Sequence, residues 1–275
     1  MTDKIRKAAV AGMFYPASKE TLERDVAIFL ENSLPLEIVT HIYGIAVPHA
    51  GYRYSGGVAA RAFRQVMDGD FDLVVVIAPS HKIYFEEISV YNGVAYETPL
   101  GKIAVDLDSA KKLASLHPGI IYSDLGHDID EHALEVQLPF LQQVFHDFTL
   151  LPIVMGNQDA ANVEILAEAL VKLLADKKAL IVASSDLSHF HSYEKAKTLD
   201  NVVIEDVAQY NYTKLAEDLK KEFCEMCGAG PVLATMKACE KLGANKAKVF
   251  LYRNSGDVTG ERDNVVGYMS AMFYE

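Results

Sequence analysis

What most constrains this chain is a set of short apolar runs rich in β-branched residues that show no alternation of polarity. They are Gly44–Pro48, Leu73–Ser80, Thr149–Met155, Ala179–Ser185, Val249–Arg253 and Val265–Met272. A strand with one solvated face alternates polar and apolar residues, so unbroken apolar runs predict strands covered on both faces, as in parallel sheets. Helical stripes fill the gaps between them: Leu22, Val26, Phe29 and Leu30; Val58, Ala62, Phe63 and Val66; Leu134, Leu138, Leu141 and Phe145. Val163, Leu166, Leu170, Leu173 and Leu174 form a further stripe, and Leu199, Val203 and Val207 another. Pro231 stands where a first helical turn would begin. Between Glu87 and Val105 the composition shifts to Ser, Tyr, Asn, Gly and Thr, with Tyr91-Asn92-Gly93 as a turn signal, which predicts a hairpin excursion from the sheet. No repeat, low-complexity tract or linker interrupts the pattern. The expectation is one α/β domain over residues 1–275, a three-layer αβα sandwich around a mostly parallel mixed sheet.

Composition narrows the partners. With 50% hydrophobic residues in 275, the chain can bury a sizeable core. Its 38 acidic and 26 basic side chains leave a net charge of −12, a field that repels phosphate backbones and anionic lipid. Nucleic-acid and membrane partners are therefore not expected. The longest apolar run, Leu73–Pro79, is far shorter than the roughly 20 residues that span a bilayer. The N-terminal stretch breaks at Gly12 and Pro16 before a signal core forms. Three cysteines, Cys224, Cys227 and Cys239, do not make a disulfide scaffold, and a cytoplasmic protein is expected.

The chemistry gathers just past the strands. One run ends in Pro48-His49-Ala50-Gly51-Tyr52, a second in Ala78-Pro79-Ser80-His81, a third in Ser184-Ser185-Asp186-Leu187-Ser188-His189. In open α/β sheets the carboxyl ends of the strands face the ligand crevice. Imidazoles held there make good metal ligands, and Pro48 and Pro79 stiffen both approaches. Cys227, in Cys224-Glu225-Met226-Cys227-Gly228-Ala229-Gly230-Pro231, stands ahead of a helix whose dipole would lower its pKa, as suits a thiolate ligand or a nucleophile. A redox pair with Cys224 lacks the strand-then-helix context, and half a zinc site lacks its second half; Cys224 and Cys239 are expected to be structural. In His127-Asp128-Ile129-Asp130-Glu131-His132-Ala133-Leu134-Glu135 most of the charge suits a helix start, but His132 and Glu135 could reach the crevice. Asn254-Ser255-Gly256-Asp257 falls at the same rim. No phosphate loop, nucleophile elbow or dinucleotide fingerprint is present. His41, His117, His146 and His191 read as surface residues.

Gly12-Met13-Phe14-Tyr15-Pro16, Pro48 to Gly56, Ala78 to His81, Glu131 to Glu135, Ser184 to His189 and Asn254 to Asp257 together resemble the Memo family, in family order over nearly the whole chain. Its animal member is a mediator of receptor-driven cell motility; bacterial and archaeal members are called AmmeMemoRadiSam system protein B. The resemblance implies a fold similar to the class III extradiol ring-cleaving dioxygenases and a metal site of two histidines and a cysteine, here His49, His81 and Cys227. Asp186 and His189 would line that site, a histidine in a comparable place serving as acid/base in the dioxygenases. Those enzymes use two histidines and a carboxylate. A thiolate shifts the site toward copper or zinc and alters iron chemistry, so ring cleavage does not follow.

The expected function is thus a metal-dependent, oxygenase-like redox enzyme holding one metal ion, iron or copper first and zinc third. Asp186 would orient His189, which would move a proton. Tyr52, Tyr54, His132 and Glu135 would contact substrate, with Arg53 shaping the pocket. The alternative is a non-catalytic module that recognises a peptide or partner protein in the same cleft. A third reading makes Cys227 a nucleophile with His189 or His81 as base. A small molecule or peptide is the expected occupant, and the family context points to a radical-SAM pathway companion. A blue-copper site is excluded, because Met226 adjoins Cys227 too closely to be its axial ligand.

Overall fold

The run Leu73–Pro79 lies inside the main sheet, and its side chains divide between two cores. Val74, Val76 and Ala78 enter one hydrophobic cluster; Leu73, Val75 and Ile77 enter the other. Both faces are covered, which is why the run shows no alternation. The computed structural model describes residues 4–36, 41–67, 69–127 and 130–275, so Asp128 and Ile129 of the acidic stretch lie outside the described residues.

In spatial order the main sheet runs His189–His191, Val265–Tyr274, Ile42–Val47, Ala179–Ser184, Leu73–Pro79, Thr149–Met155, Ile88–Tyr91 and Ile120–Ser123. Lys246–Asn254 pairs along Val265–Tyr274 as well. The strands from Ile42–Val47 through Thr149–Met155 are mutually parallel, and antiparallel neighbours flank them. The helices Lys19–Glu31, Tyr52–Val66 and Leu138–Val144 pack on one face. Leu107–Ser115, Ala160–Leu174, Tyr193–Ala208, Tyr212–Lys220 and Ala229–Leu242 pack on the other. The result is the expected αβα sandwich. Among the described residues no helix is long and apolar enough to cross a membrane.

Two local expectations change. The stretch Glu87–Val105 is not wholly an excursion, because Ile88–Tyr91 joins the main sheet. Its polar composition misleads: Ser89 and Tyr91 are buried, the Tyr91 ring lying 5.0 Å from Tyr96 and 5.1 Å from His127. Only Ala95–Thr98 and Gly101–Ala104 form the hairpin, and with Ile5–Arg6 they make a small separate sheet. The helix expected from Leu134 starts later, as a 3₁₀ turn Glu135–Gln137 followed by Leu138–Val144, where Pro139 favours a first turn. Residues 131–134 are therefore loop, and the four-residue spacing of Glu131 and Glu135 is not a helical one.

Register sets the crevice. Val47 lies opposite Ser184 and Ile77 opposite Ala183, so neighbouring parallel strands end level. The ladder continues one step past them, through Ser185 N to Val47 O at 2.9 Å and Ser80 N to Met155 O at 3.1 Å. His49, His81 and Asp186 each follow a strand by two residues and emerge along one edge.

Candidate metal centre

His49 is 1% exposed, and a neutral network fixes its tautomer. The Ser184 hydroxyl has one proton, which it donates to Ala133 O at 2.6 Å. Toward its other neighbours, Gln137 Nε2 at 2.8 Å and His49 Nδ1 at 2.9 Å, it can only accept. The Gln137 amide cannot be turned round, because the same nitrogen also donates to Pro48 O at 2.9 Å. Nδ1 of His49 therefore carries the proton, and the Nε2 lone pair faces Cys227 Sγ at 3.2 Å. Burial, then the neighbouring His81, hold the His49 pKa well below its ordinary value, so the ring is neutral.

The His81 ring is held through the same nitrogen, by a charged partner. The Glu131 carboxylate accepts from His81 N at 2.6 Å, His81 Nδ1 at 3.1 Å, His132 N at 2.8 Å and Ala133 N at 2.9 Å. Burial works against a charge there, yet the His81 hydrogen bond and the amides hold the carboxyl down at about 2. An ionised carboxylate only accepts, so Nδ1 of His81 also carries a proton, and Nε2 is the nitrogen that can serve as a ligand.

Cys227 arrives from another element. A Cβ at Gly228 would stand 2.3 Å from Ser184 O, so only glycine lets the segment come this close to the strand end. Cys227 N donates to Asp186 O at 3.3 Å, and Asp186 N donates to Cys227 Sγ at 3.2 Å. The expectation of a lowered thiol pKa does not hold for the metal-free site. The helix Ala229–Leu242 starts past Cys227 with Gly228 as its cap, while burial and the Asp186 charge push the thiol up. A bound cation would reverse that balance. The ligand atoms of His49, His81 and Cys227 all lie within 4.8 Å of one another. A second grouping, His81, Glu131 and His132, meets the same distance limit, but its carboxylate already accepts the four N–H groups named above.

The remaining expected residues divide. Asp186 is buried at the centre, and burial raises its pKa against the pull of the His49 amide and of His189. Its Oδ1 accepts from His49 N at 2.8 Å; among the described residues it has no hydrogen bond to His189, so it orients His49 instead. His189 stands half-buried on the short strand His189–His191, close enough to act on Asp186 and His49 by charge alone. The His132 ring stacks on His81 at 4.8 Å and lies 5.4 Å from His49, with burial and then His49 holding its pKa at about 4. Tyr52 is buried with its hydroxyl on Val136 O at 2.7 Å, and its ring packs on Phe140. Glu135 is a buried anchor: it pairs with Arg6 and accepts from Ala9 N at 2.8 Å, Val10 N at 3.1 Å and Tyr15 Oη at 2.5 Å. Tyr54 lines a separate cavity, described below.

Glu131, Ser184, Gln137 and Arg6 escaped the sequence reading. Glu131 resembled ordinary helix-start charge, and nothing local distinguishes a hydroxyl or amide that will meet an imidazole ring from one facing water. The Ser184-Ser185 pair at a strand end was the one available signal, since buried hydroxyls need partners.

Comparison with known proteins gives the family of the chain. The family model described as Memo-like protein matches residues 6–272. The chain is 36% identical to a MEMO1 family protein of Methanobrevibacter smithii, covering 98% of this chain and 99% of that one. It is 40% identical to a MEMO1 family protein of Methanosarcina mazei, covering 96% and 97%. In fold it is similar to an uncharacterized protein of Escherichia coli K12, JW3007, with a TM-score of 0.57 at 13% identity over 84% of this chain and 99% of that one. With a match that begins before the first site residue and ends in the last strand, the chain belongs to the Memo family.

Proposed function

We propose that this chain binds one metal ion between His49, His81 and Cys227, iron or copper ahead of zinc, and is a redox enzyme acting on a small molecule or peptide in the cleft. The observation that carries the reading is the double ring lock: both imidazoles are held through Nδ1, His49 by Ser184 and His81 by Glu131, which leaves the two Nε2 atoms to serve as ligands beside a thiol from a third element. Two imidazoles and a thiolate suit copper, zinc or iron, and three protein ligands leave room for another. When bound, such an ion supplies Lewis acidity and, for iron or copper, one-electron chemistry.

The chain's own residues do the rest. Ser184 and Glu131 keep protons on the two Nδ1 atoms, and Cys227 gives up its thiol proton on metal binding. His189, half-buried on its short strand near Asp186, is the side chain placed to move a proton at a ring nitrogen. The buried, protonated thiol counts against Cys227 as a free nucleophile. A cytoplasmic setting, where the three free cysteines persist as thiols, and a radical-SAM companion complete the proposal.

Metal content and oxidation state, measured on protein purified without oxygen, test it directly. Near-stoichiometric iron or copper should fall sharply in Cys227→Ser, and His49→Ala should lose most metal while unfolding cooperatively. Wild-type protein loaded with iron or copper should consume oxygen in a substrate screen. Little metal in every form, with no uptake of added ions, would replace the enzyme by the binding module.

A further inference from the structure

A cavity of about 280 Å³ opens between the helices Lys19–Glu31 and Tyr52–Val66 and the strand Lys246–Asn254, and no residue of the metal centre lines it. Arg53 and Arg61 from the second helix and Arg253 from the strand line it, and among the described residues no carboxylate does. That is unusual in a chain whose 38 acids outnumber its 26 Lys and Arg, where an exposed guanidinium should readily find a partner. Arg53 lies over the Tyr54 ring, 5.8 Å from its centroid, and among the described residues none of the three is in an ion pair. Asp257 feels the charge of Arg253 but is held by the Tyr193 hydroxyl at 2.7 Å and Asn254 N at 3.0 Å.

The helix carries a second sign. Glycine inside a helix costs stability and usually has a packing reason. Gly56 has one, because a Cβ there would stand 2.8 Å from the Phe29 ring. Gly57 has none: its Cβ would meet only Phe29, at an ordinary 3.9 Å. It lies one turn from both Arg53 and Arg61, so its missing side chain keeps the space between them open. Phe29, Leu251 and Val258 supply an apolar floor, with Val258 still 42% exposed.

We propose that this cavity binds a small phosphate monoester, its dianion among Arg53, Arg61 and Arg253 and its organic group on the apolar floor. Guanidinium groups match phosphate oxygens in pairs, and three of them suit a dianion better than a singly charged carboxylate. A volume of about 280 Å³ is enough for a phosphate with a short organic group. A polyanion is disfavoured by the net charge of −12.

Calorimetric titration with n-butyl phosphate, n-butyrate and inorganic phosphate tests this independently of any metal. One n-butyl phosphate should bind per chain, more weakly as salt rises. Butyrate, which keeps the tail, and inorganic phosphate, which keeps the head, should each bind at least about ten-fold more weakly, as should n-butyl phosphate to Arg61→Gln or Arg253→Gln. Gly57→Leu, which fills the gap with a better helix former, should abolish binding without lowering the melting temperature. Equal binding of butyrate, equal binding to the two arginine variants, or no measurable n-butyl phosphate binding to the wild type would overturn the proposal.

Discussion

His49 and His81 present the same nitrogen to the same space, yet the protein secures them by opposite means. His49 lies two residues past a central strand with its main-chain N–H on Asp186, and its ring is held by an uncharged group, the Ser184 hydroxyl, itself fixed by the Gln137 amide, in a fully buried pocket. His81 sits in a partly exposed loop and is held by the ionised Glu131. Glu131 in turn belongs to a loop whose backbone carbonyl accepts from the buried Arg6, while Arg6 also pairs with Glu135. One ligand is thus set by the sheet and the other by a charged strap that runs back to the first strand, Ile5–Arg6. A sheet edge is rigid enough that neutral hydrogen bonds suffice to orient a ring. A loop needs stronger, charge-assisted bonds to reach the same precision.

The largest test of that contrast is Arg6→Leu. It strands the Glu135 carboxylate in a site with no exposure, and breaking a buried pair costs about 3–5 kcal/mol. Urea unfolding should register that loss, and amide exchange should rise around residues 130–135 more than along Ala179–Ser184. Equal loosening of both would dissolve the distinction. Next comes Glu131→Gln, which cannot accept all the N–H groups the carboxylate does; metal affinity should fall about 10–100-fold, read by competition with a chelator. Ser184→Ala should cost less, about ten-fold, and should be visible in nitrogen NMR as loss of the single His49 tautomer. If Ser184→Ala proved the more damaging, the neutral side would be the stronger one.

A separate effect is a pH slope on the strap side. Burial lowers the His127 pKa to about 3, with its ring bound to Tyr96 Oη at 2.6 Å and Ser89 O at 3.2 Å. The unfolded chain protonates this histidine below about 6.5, whereas the folded one does not until about 3. Stability is therefore lost as pH falls through that window, by at most about 1.4 kcal/mol per pH unit. Urea midpoints measured with a chelator present, between about pH 4 and 7, should show a shallower slope in His127→Asn than in wild type. An unchanged slope would place the acid sensitivity elsewhere.

The layer architecture was legible because burial on both faces leaves its mark residue by residue, as in Leu73–Pro79. The crevice followed from where polar residues interrupt those runs, at His49, His81 and Asp186. The helix start near Leu134 and the strand Ile88–Tyr91 were misjudged, since a short polar segment looks alike whether its partners are water or distant side chains.

By itself, then, the sequence determined which strands are buried and which functional groups stand at their ends, because both are local patterns with a fixed period. The tertiary structure alone decided which groups hold them. Ser184 on His49, Glu131 on His81 and Arg6 on Glu135 are pairings across 135, 50 and 129 residues. The strength of each pairing comes from exclusion of water, and that exists only after the layers close.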